Sequence, residues 1–231
     1  KSLGHILLIS SVVVFIIAHQ KSDFNKNQPK PNSLVYYLDN ETQKSYWLSY
    51  DKILDDWNKS YFKDTLTTKY INSFSSKYNT KFNYAAKAKK ISLQVSNHKI
   101  SIDTVINDLR KIQLCISPTR KLSSIEINSN TKLNYSNFKI NGTKINTNIN
   151  SKFFSNDTPR IATYHVVDDT PLELEFNIHK DSIPHIELME VSHDLLTNKP
   201  LNIEKRTKKM IPKPFVINDA IIVKNTVKLN D

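Results

Sequence analysis

The chain has 231 residues, 39% of them hydrophobic and 10% aromatic, which suffices for one packed domain with an extension or for two small domains. Two glycines (Gly4, Gly142) and one cysteine (Cys115) exclude glycine-rich phosphate loops, the G-x-S-x-G nucleophile elbow, an intrachain disulfide and a cysteine-rich zinc site. The net charge of +11 rests almost wholly on lysine. The only arginines are Arg110, Arg120, Arg160 and Arg206, so the side chain that reads bases and phosphates bidentately is scarce. The charge is read as a lysine-rich solvated surface, and nucleic acid is not an expected partner.

From Leu3 to Ala18 the chain is almost wholly apolar. As a helix this run spans about 24 Å, slightly short of a hydrocarbon core of about 30 Å. A signal peptide is one reading, but only Lys1 supplies a basic flank and IIAHQ is a poor cleavage site. A buried core helix would show a polar boundary that is missing here. A transmembrane helix over residues 1–20, the last of several, is the favoured reading. Lys21, Lys26 and Lys30 follow it, yet such a local count does not fix the side on which a long domain lies.

Residues 21–32, with Pro29 and Pro31, read as an extended linker. Residues 33–90 read as a hairpin-plus-helix element: SLVYYLD and QKSYWLSY are the hairpin, and Asp51 caps a helix bearing Ile53, Leu54, Trp57 and Tyr61. The stretch 63–90 is ambiguous. From Ile91 to Asp231 the pattern turns to period two in short runs separated by Pro, Asn and Asp, which predicts about eight strands in two sheets. The expected fold is therefore mainly β: an antiparallel β-sandwich preceded by the hairpin-plus-helix element and an N-terminal transmembrane helix. Asn141-Gly142 is the single primed-turn dipeptide, and asparagine elsewhere takes the left-handed positions.

The chemistry-bearing motifs are thin. There is no H-E-x-x-H helix. His179-Lys180-Asp181 has the H-x-D spacing of co-catalytic zinc sites, but the adjacent Glu-Glu pair of such sites is missing and the motif falls where a strand meets a turn. Asp55-Asp56 and Asp168-Asp169 are adjacent carboxylates, too close in sequence to share one face of a strand; the second pair reads as a turn. Cys115 lies in an alternating strand and reads as a packing residue. The run EKRTKKM at 204–210 reads as a solvated loop, with anionic lipid contact as the alternative. His165, Asp168 and His193 are the remaining candidates for an enzyme site. Tyr36, Tyr37, Tyr46, Trp47 and Trp57 are candidate contacts for a peptide, glycan or protein partner, against the reading that they pack the hairpin on its helix. No catalytic or metal-ligating residue is assigned, and no cofactor is expected in this chain.

Four segments, PNSLVYYLDNETQKSYWLSYDKILDDW (31–57), RKIQLCISPTRKLSSIEI (110–127), DTPLELEF (169–176) and MIPKPFVINDAIIVKNTVKL (210–229), resemble the C-terminal region of multi-pass membrane zinc exopeptidases of the M-28 family, in the style of vacuolar membrane protease and endoplasmic reticulum metallopeptidase. The resemblance implies that the peptidase domain and further membrane helices precede this chain, that zinc belongs to the parent protein, and that the domain is extracytoplasmic, periplasmic in a bacterium. Its implied partners are the membrane, the upstream peptidase domain and the parent's peptide substrate. The family's zinc ligands match no position here. The alternative is a stand-alone membrane-anchored β-sandwich binding module.

Overall fold

The computed structural model describes residues 2–66, 80–129, 135–145, 160–227 and 229. The apolar N-terminal run forms one α-helix, α1 (Ser2–Gln20), every residue of which is exposed. At about 1.5 Å per residue its 19 residues extend about 28 Å, which closes most of the shortfall expected from the apolar run alone. Helix α1 is long and apolar enough to cross a membrane.

The rest of the described chain is mainly β. After β1 (Lys30–Asn32), β2 (Val35–Asp39) and β3 (Lys44–Ser49) form the expected hairpin, with Val35 opposite Leu48 and Asp39 opposite Lys44. Then come β4 (Thr65–Leu66), β5 (Tyr84–Lys87), β6 (Asn97–Ile106), β7 (Leu109–Ser117), β8 (Ser124–Ser129), β9 (Ser136–Ile140) and β10 (Thr143–Lys144). The last strands are β11 (Arg160–His165), β12 (Leu172–His179), β13 (Ile186–Ser192), β14 (Met210–Pro212) and β15 (Ala220–Val227).

Two large sheets result. One has the order β10-β9-β12-β7-β6 and the other β11-β8-β13-β15-β2-β3-β5-β4. Their facing sides supply one apolar cluster: Ile112, Leu114 and Ile116 of β7 and Leu172, Leu174, Phe176 and Ile178 of β12 meet Ile125 and Ile127 of β8 and Ile186 and Leu188 of β13. The alternation in β12, with every second residue from Leu172 buried, is the period-two signature of a strand with one covered face. Tyr135, Phe138 and Phe176 interlock at ring separations of 5.3 to 6.0 Å.

Four details depart from expectation. The pairing is not wholly antiparallel: β15 runs parallel to β2 (Ala220 beside Val35), and β14 parallel to β1 (Lys30 beside Met210). Residues 33–90 are not set apart from residues 91–231, because β2, β3, β4 and β5 hydrogen-bond into the same sheet as β8, β13 and β15. The helix expected from Asp51 is a series of turns that closes in a 3₁₀ turn at Lys59–Tyr61. Asp51 caps nothing there; its carboxylate accepts from the Ser33 N–H at 3.0 Å. A buried partner outside the local segment outweighed the helical spacing. The run ISLQV at 91–95 likewise forms no strand, although Ile91, Leu93 and Val95 pack on the second core cluster with Tyr36 and Trp47. The ambiguous stretch 63–90 lies partly outside the described residues.

Turn chemistry follows the sequence closely. Asn141 (φ 47°) and Gly142 (φ 76°) form the primed turn between β9 and β10, with both central residues left-handed. Asn107, Asn137, Asn202, Asp168, Asp169 and Asp219 also take positive φ, which short polar side chains tolerate best after glycine.

Candidate functional site

The end of the large sheet at which the chain arrives from α1 holds the densest polar structure among the described residues. Register sets this end: Val35 lies beside both Ala220 and Leu48, and Ile221 lies opposite Ser192, so the start of β2, the ends of β3 and β13 and the start of β15 converge. Asn32, Ser33, Ser49, Asp51, Asn58 and Asn218 are all buried there. Buried polar groups require partners, and these have them. Ser33 Oγ donates to Asp51 at 2.8 Å, and Asn58 Nδ2 donates to the same carboxylate at 2.7 Å. Asn218 accepts from the Leu34 N–H at 2.9 Å and donates to the Asn32 carbonyl at 2.8 Å. Lys213 donates to the Tyr50 carbonyl at 2.8 Å and lies 3.7 Å from Asp51.

Arg206 closes this cluster. Its guanidinium makes a two-pronged contact with Asp219 at 2.5 and 2.6 Å, a third hydrogen bond to Asn32 Oδ1, and lies 4.1 Å from the Trp57 ring centroid. The planar fork and the stacking are both specific to arginine. The Trp57 indole N–H donates to the Glu204 carbonyl at 2.7 Å. The whole arrangement clamps β1, and with it the linker from α1, to the sheet. Its chemistry is mechanical: it resists displacement of the chain where the tether enters the fold.

A second site is an open cavity of about 530 Å³ beside β8 and β11 of the same sheet, lined by Ser123, Ser124, Glu126, Arg160, His165 and His193 with the 215–217 loop. Strand register explains the grouping: Glu126 lies opposite Thr163, and Ser124 lies opposite His165 and Val191. Arg160 donates to Glu126 at 3.0 Å. Burial pushes the Glu126 carboxyl up, while Arg160 pulls in the other direction. His193 Nδ1 lies 3.1 Å from the Asn218 carbonyl, an acceptor, so Nδ1 carries the proton in the neutral ring and Nε2 is left as an acceptor. Ser123 Oγ is committed to the Val191 carbonyl at 3.1 Å. The cavity thus offers hydrogen-bonding groups for a polar ligand around an ion pair whose carboxylate is buried and whose guanidinium is partly exposed.

Of the residues singled out for an enzyme site, His165 and His193 share this cavity. Asp168 does not line it and sits with Asp169 in the left-handed turn before β12. His179 ends β12 and faces Asp181 in the turn that follows the strand at 3.5 Å, with both side chains largely exposed. Cys115 is half-buried on β7. Among the described residues no three His, Cys, Asp or Glu side chains gather in a way that could hold a metal ion.

The five candidate aromatic contacts lie mainly inside. Tyr36, Tyr37, Trp47 and Trp57 are buried, and Tyr46 is partly so. Trp47 packs on Tyr36 at 5.3 Å and on Tyr61 at 5.0 Å, while Tyr37 meets Tyr46 at 6.3 Å on the other face. The Tyr36 hydroxyl is held by the Lys89 carbonyl and the Ile91 N–H. As placed, Tyr36, Trp47 and Trp57 seat the hairpin on the 51–62 turns, Tyr37 and Tyr46 pack on the opposite face with Tyr50 and Phe82, and the rings offer little surface to a ligand. The Arg206 clamp has no local sequence signal, because Asn32 lies 174 residues away along the chain and Asp219, 13 residues on, stands at no helical or strand spacing from it. The one available hint is that Arg206 stands as one of four arginines amid abundant lysine.

Compared with known protein families and with curated protein sequences, the chain matches none.

Proposed function

We propose that the chain is a membrane-anchored β-sandwich domain, tethered by α1, that serves as the non-catalytic extracytoplasmic C-terminal part of a membrane-bound zinc exopeptidase. The observation that carries the anchor is α1 itself: 19 residues without Asp, Glu, Lys or Arg, all exposed, joined through a short linker to a clamped first strand. An apolar helix with no protein to cover it is stable only in lipid or in contact with another apolar helix. The peptidase parent is supported by the resemblance of the four segments quoted above. In this proposal zinc chemistry belongs to the preceding part of the parent, and none is assigned to the residues described here.

The experiment is an assay of the complete gene product that carries this segment. The proposal expects zinc-dependent release of N-terminal amino acids from peptides by the complete product and none by residues 1–231 alone. A complete product that lacks an upstream H-x-D and Glu-Glu pair, or that shows no such hydrolysis, removes the peptidase parent and leaves the second reading. That reading, a stand-alone membrane-anchored binding module, is favoured by the cavity around Glu126, Arg160, His165 and His193.

A further inference from the structure

The linker between α1 and the β domain is short. Lys21 to Pro29 reach about 30 Å when fully extended, and a turn closed by reciprocal Asn25–Gln28 backbone hydrogen bonds of 3.1 and 3.2 Å shortens them. The tether therefore confines one end of the domain near the point where α1 ends. The surface at that end is distinctive. Strand β14 lies beside β1, with the Lys30 N–H donating to the Lys209 carbonyl at 2.8 Å, so the basic run is pinned to the tether.

Lys205, Lys208 and Lys209 are exposed and form no ion pair among the described residues. The nearby acids are largely spoken for. Asp219 is held by Arg206, Asp51 by Ser33 and Asn58, Asp55 by Asn32 and Asp56 by Lys59, leaving Glu204 and Asp23. Exposed apolar side chains border the same tether: Ile53 is 75% exposed and Ile211 40%. The Lys30 ammonium reaches the Ile53 carbonyl at 3.4 Å, and Ile211 lies opposite Pro31, so both isoleucines border the tether.

We propose that this tether end is a second membrane contact, in which Lys205, Lys208 and Lys209 dock on anionic phospholipid headgroups while Ile53 and Ile211 enter the headgroup layer. The inference rests on α1 being a membrane anchor. Its physics is that of a polybasic segment beside a membrane helix: each lysine near an anionic surface strengthens the contact about fivefold, over a screening distance of about 8–10 Å. Free lysines with exposed apolar side chains bordering the same tether match a lipid interface better than an acidic protein surface, which gives the isoleucines no apolar phase to enter. The contact would hold the domain in one orientation on the bilayer instead of letting it swing on the linker.

The test uses the full chain carrying Ile53→Trp, reconstituted in bilayers of phosphatidylcholine alone or with phosphatidylglycerol, with brominated lipids as quenchers. Trp47 and Trp57 are buried, and the unsubstituted chain gives their background. The proposal expects the emission of the introduced indole to shift blue and to be quenched only in phosphatidylglycerol bilayers. The effect should vanish in the Lys205→Gln, Lys208→Gln, Lys209→Gln triple variant, whose unchanged melting would show that the fold persists. Equal quenching in both bilayers, or none in either, overturns the lipid face. Alkaline extraction reports the anchor separately. A chain that resists extraction yet shows no phosphatidylglycerol-dependent quenching loses only the lipid face, whereas an extractable chain loses the anchor.

Discussion

The Arg206 guanidinium lies over the Trp57 ring, its carbon 4.1 Å from the indole centroid, and between them the two side chains fasten the 204–206 loop to the turns that follow the aromatic hairpin. The same guanidinium grips Asp219 with two hydrogen bonds, and only 8% of its side chain is exposed. Removing one partner of a buried pair leaves the other charged and unpaired. We expect Arg206→Ala to cost about 3 kcal/mol, read as a lower denaturant midpoint with unchanged slope. Arg206→Lys should recover only part of this, since an ammonium supplies neither the fork nor the flat face. A loss below about 0.5 kcal/mol, the scale of an exposed pair, would show that the clamp bears little of the fold's stability.

Glu190 is a second probe, with the sign of its effect fixed in advance. It is fully buried, its carboxylate accepts from the Ser96 N–H at 2.9 Å, and Arg120 stands 3.9 Å away. Burial raises its affinity for a proton above that of an ordinary glutamate, against the pull of Ser96 and Arg120. Burial also works against the charge on Arg120, opposed by Glu190 and Asp194. A carboxyl whose folded pKa is raised binds more protons in the folded state, so stability falls as pH rises from the unfolded value through the folded one. Glu190→Gln keeps an acceptor for Ser96 and removes the titration. Thermal melts across that window should show the variant gaining on the parent chain as pH rises. A constant difference at every pH would mean that Glu190 titrates as it does in the unfolded chain.

Much of this architecture is legible in the residues themselves, for local physical reasons. β12 alternates LELEFNIH because one face meets the other sheet, and Asn141-Gly142 reads as a primed turn because left-handed backbone suits asparagine and glycine. The 51–62 segment shows where local reading ends. Its apolar spacing is helical, but Asp51 is drawn to Ser33 and Asn58, and Trp57 to Glu204 and Arg206. Asn58 lies within the segment, but Ser33, Glu204 and Arg206 lie outside it, and no periodicity encodes those contacts. For the same reason the parallel pairing of β15 with β2 and the gathering of His165 with His193 become visible only once distant strands lie side by side.

The primed turn between β9 and β10 offers a local test. Gly142 has φ 76° and no heavy atom outside its chain neighbours within 4 Å of an added Cβ, so a substitution meets backbone strain without a clash. Gly142→Ala is expected to destabilise by about 1 kcal/mol. Gly142→Asn should cost less, because asparagine tolerates this region. Equal melting of the alanine and asparagine variants would contradict a strain origin.

The interlocked rings of the shared core make a stronger demand. Phe176 is fully buried, stacked on Phe138 at 5.7 Å and edge-on to Tyr135 at 5.3 Å. Phe176→Ala should cost about 3–5 kcal/mol, whereas Phe176→Leu should cost substantially less because it leaves a smaller cavity. Similar losses for the two variants would indicate that the sheets do not close on this ring as described.

The anchor itself is the central claim, and vesicle flotation in 1 M salt tests it most directly, since such salt shortens the screening length to about 3 Å and silences lysine–lipid contacts. No residue of α1 belongs to any of the three core clusters, so residues 21–231 carry their own core and provide the comparison. The full chain should float with the vesicles, and residues 21–231 should stay at the bottom of the gradient. Val13→Lys in the full chain, which places a charge at mid-helix at a cost of about 3 kcal/mol, should reduce the floating fraction. A full chain that remains with the soluble fragment would contradict membrane anchoring by α1.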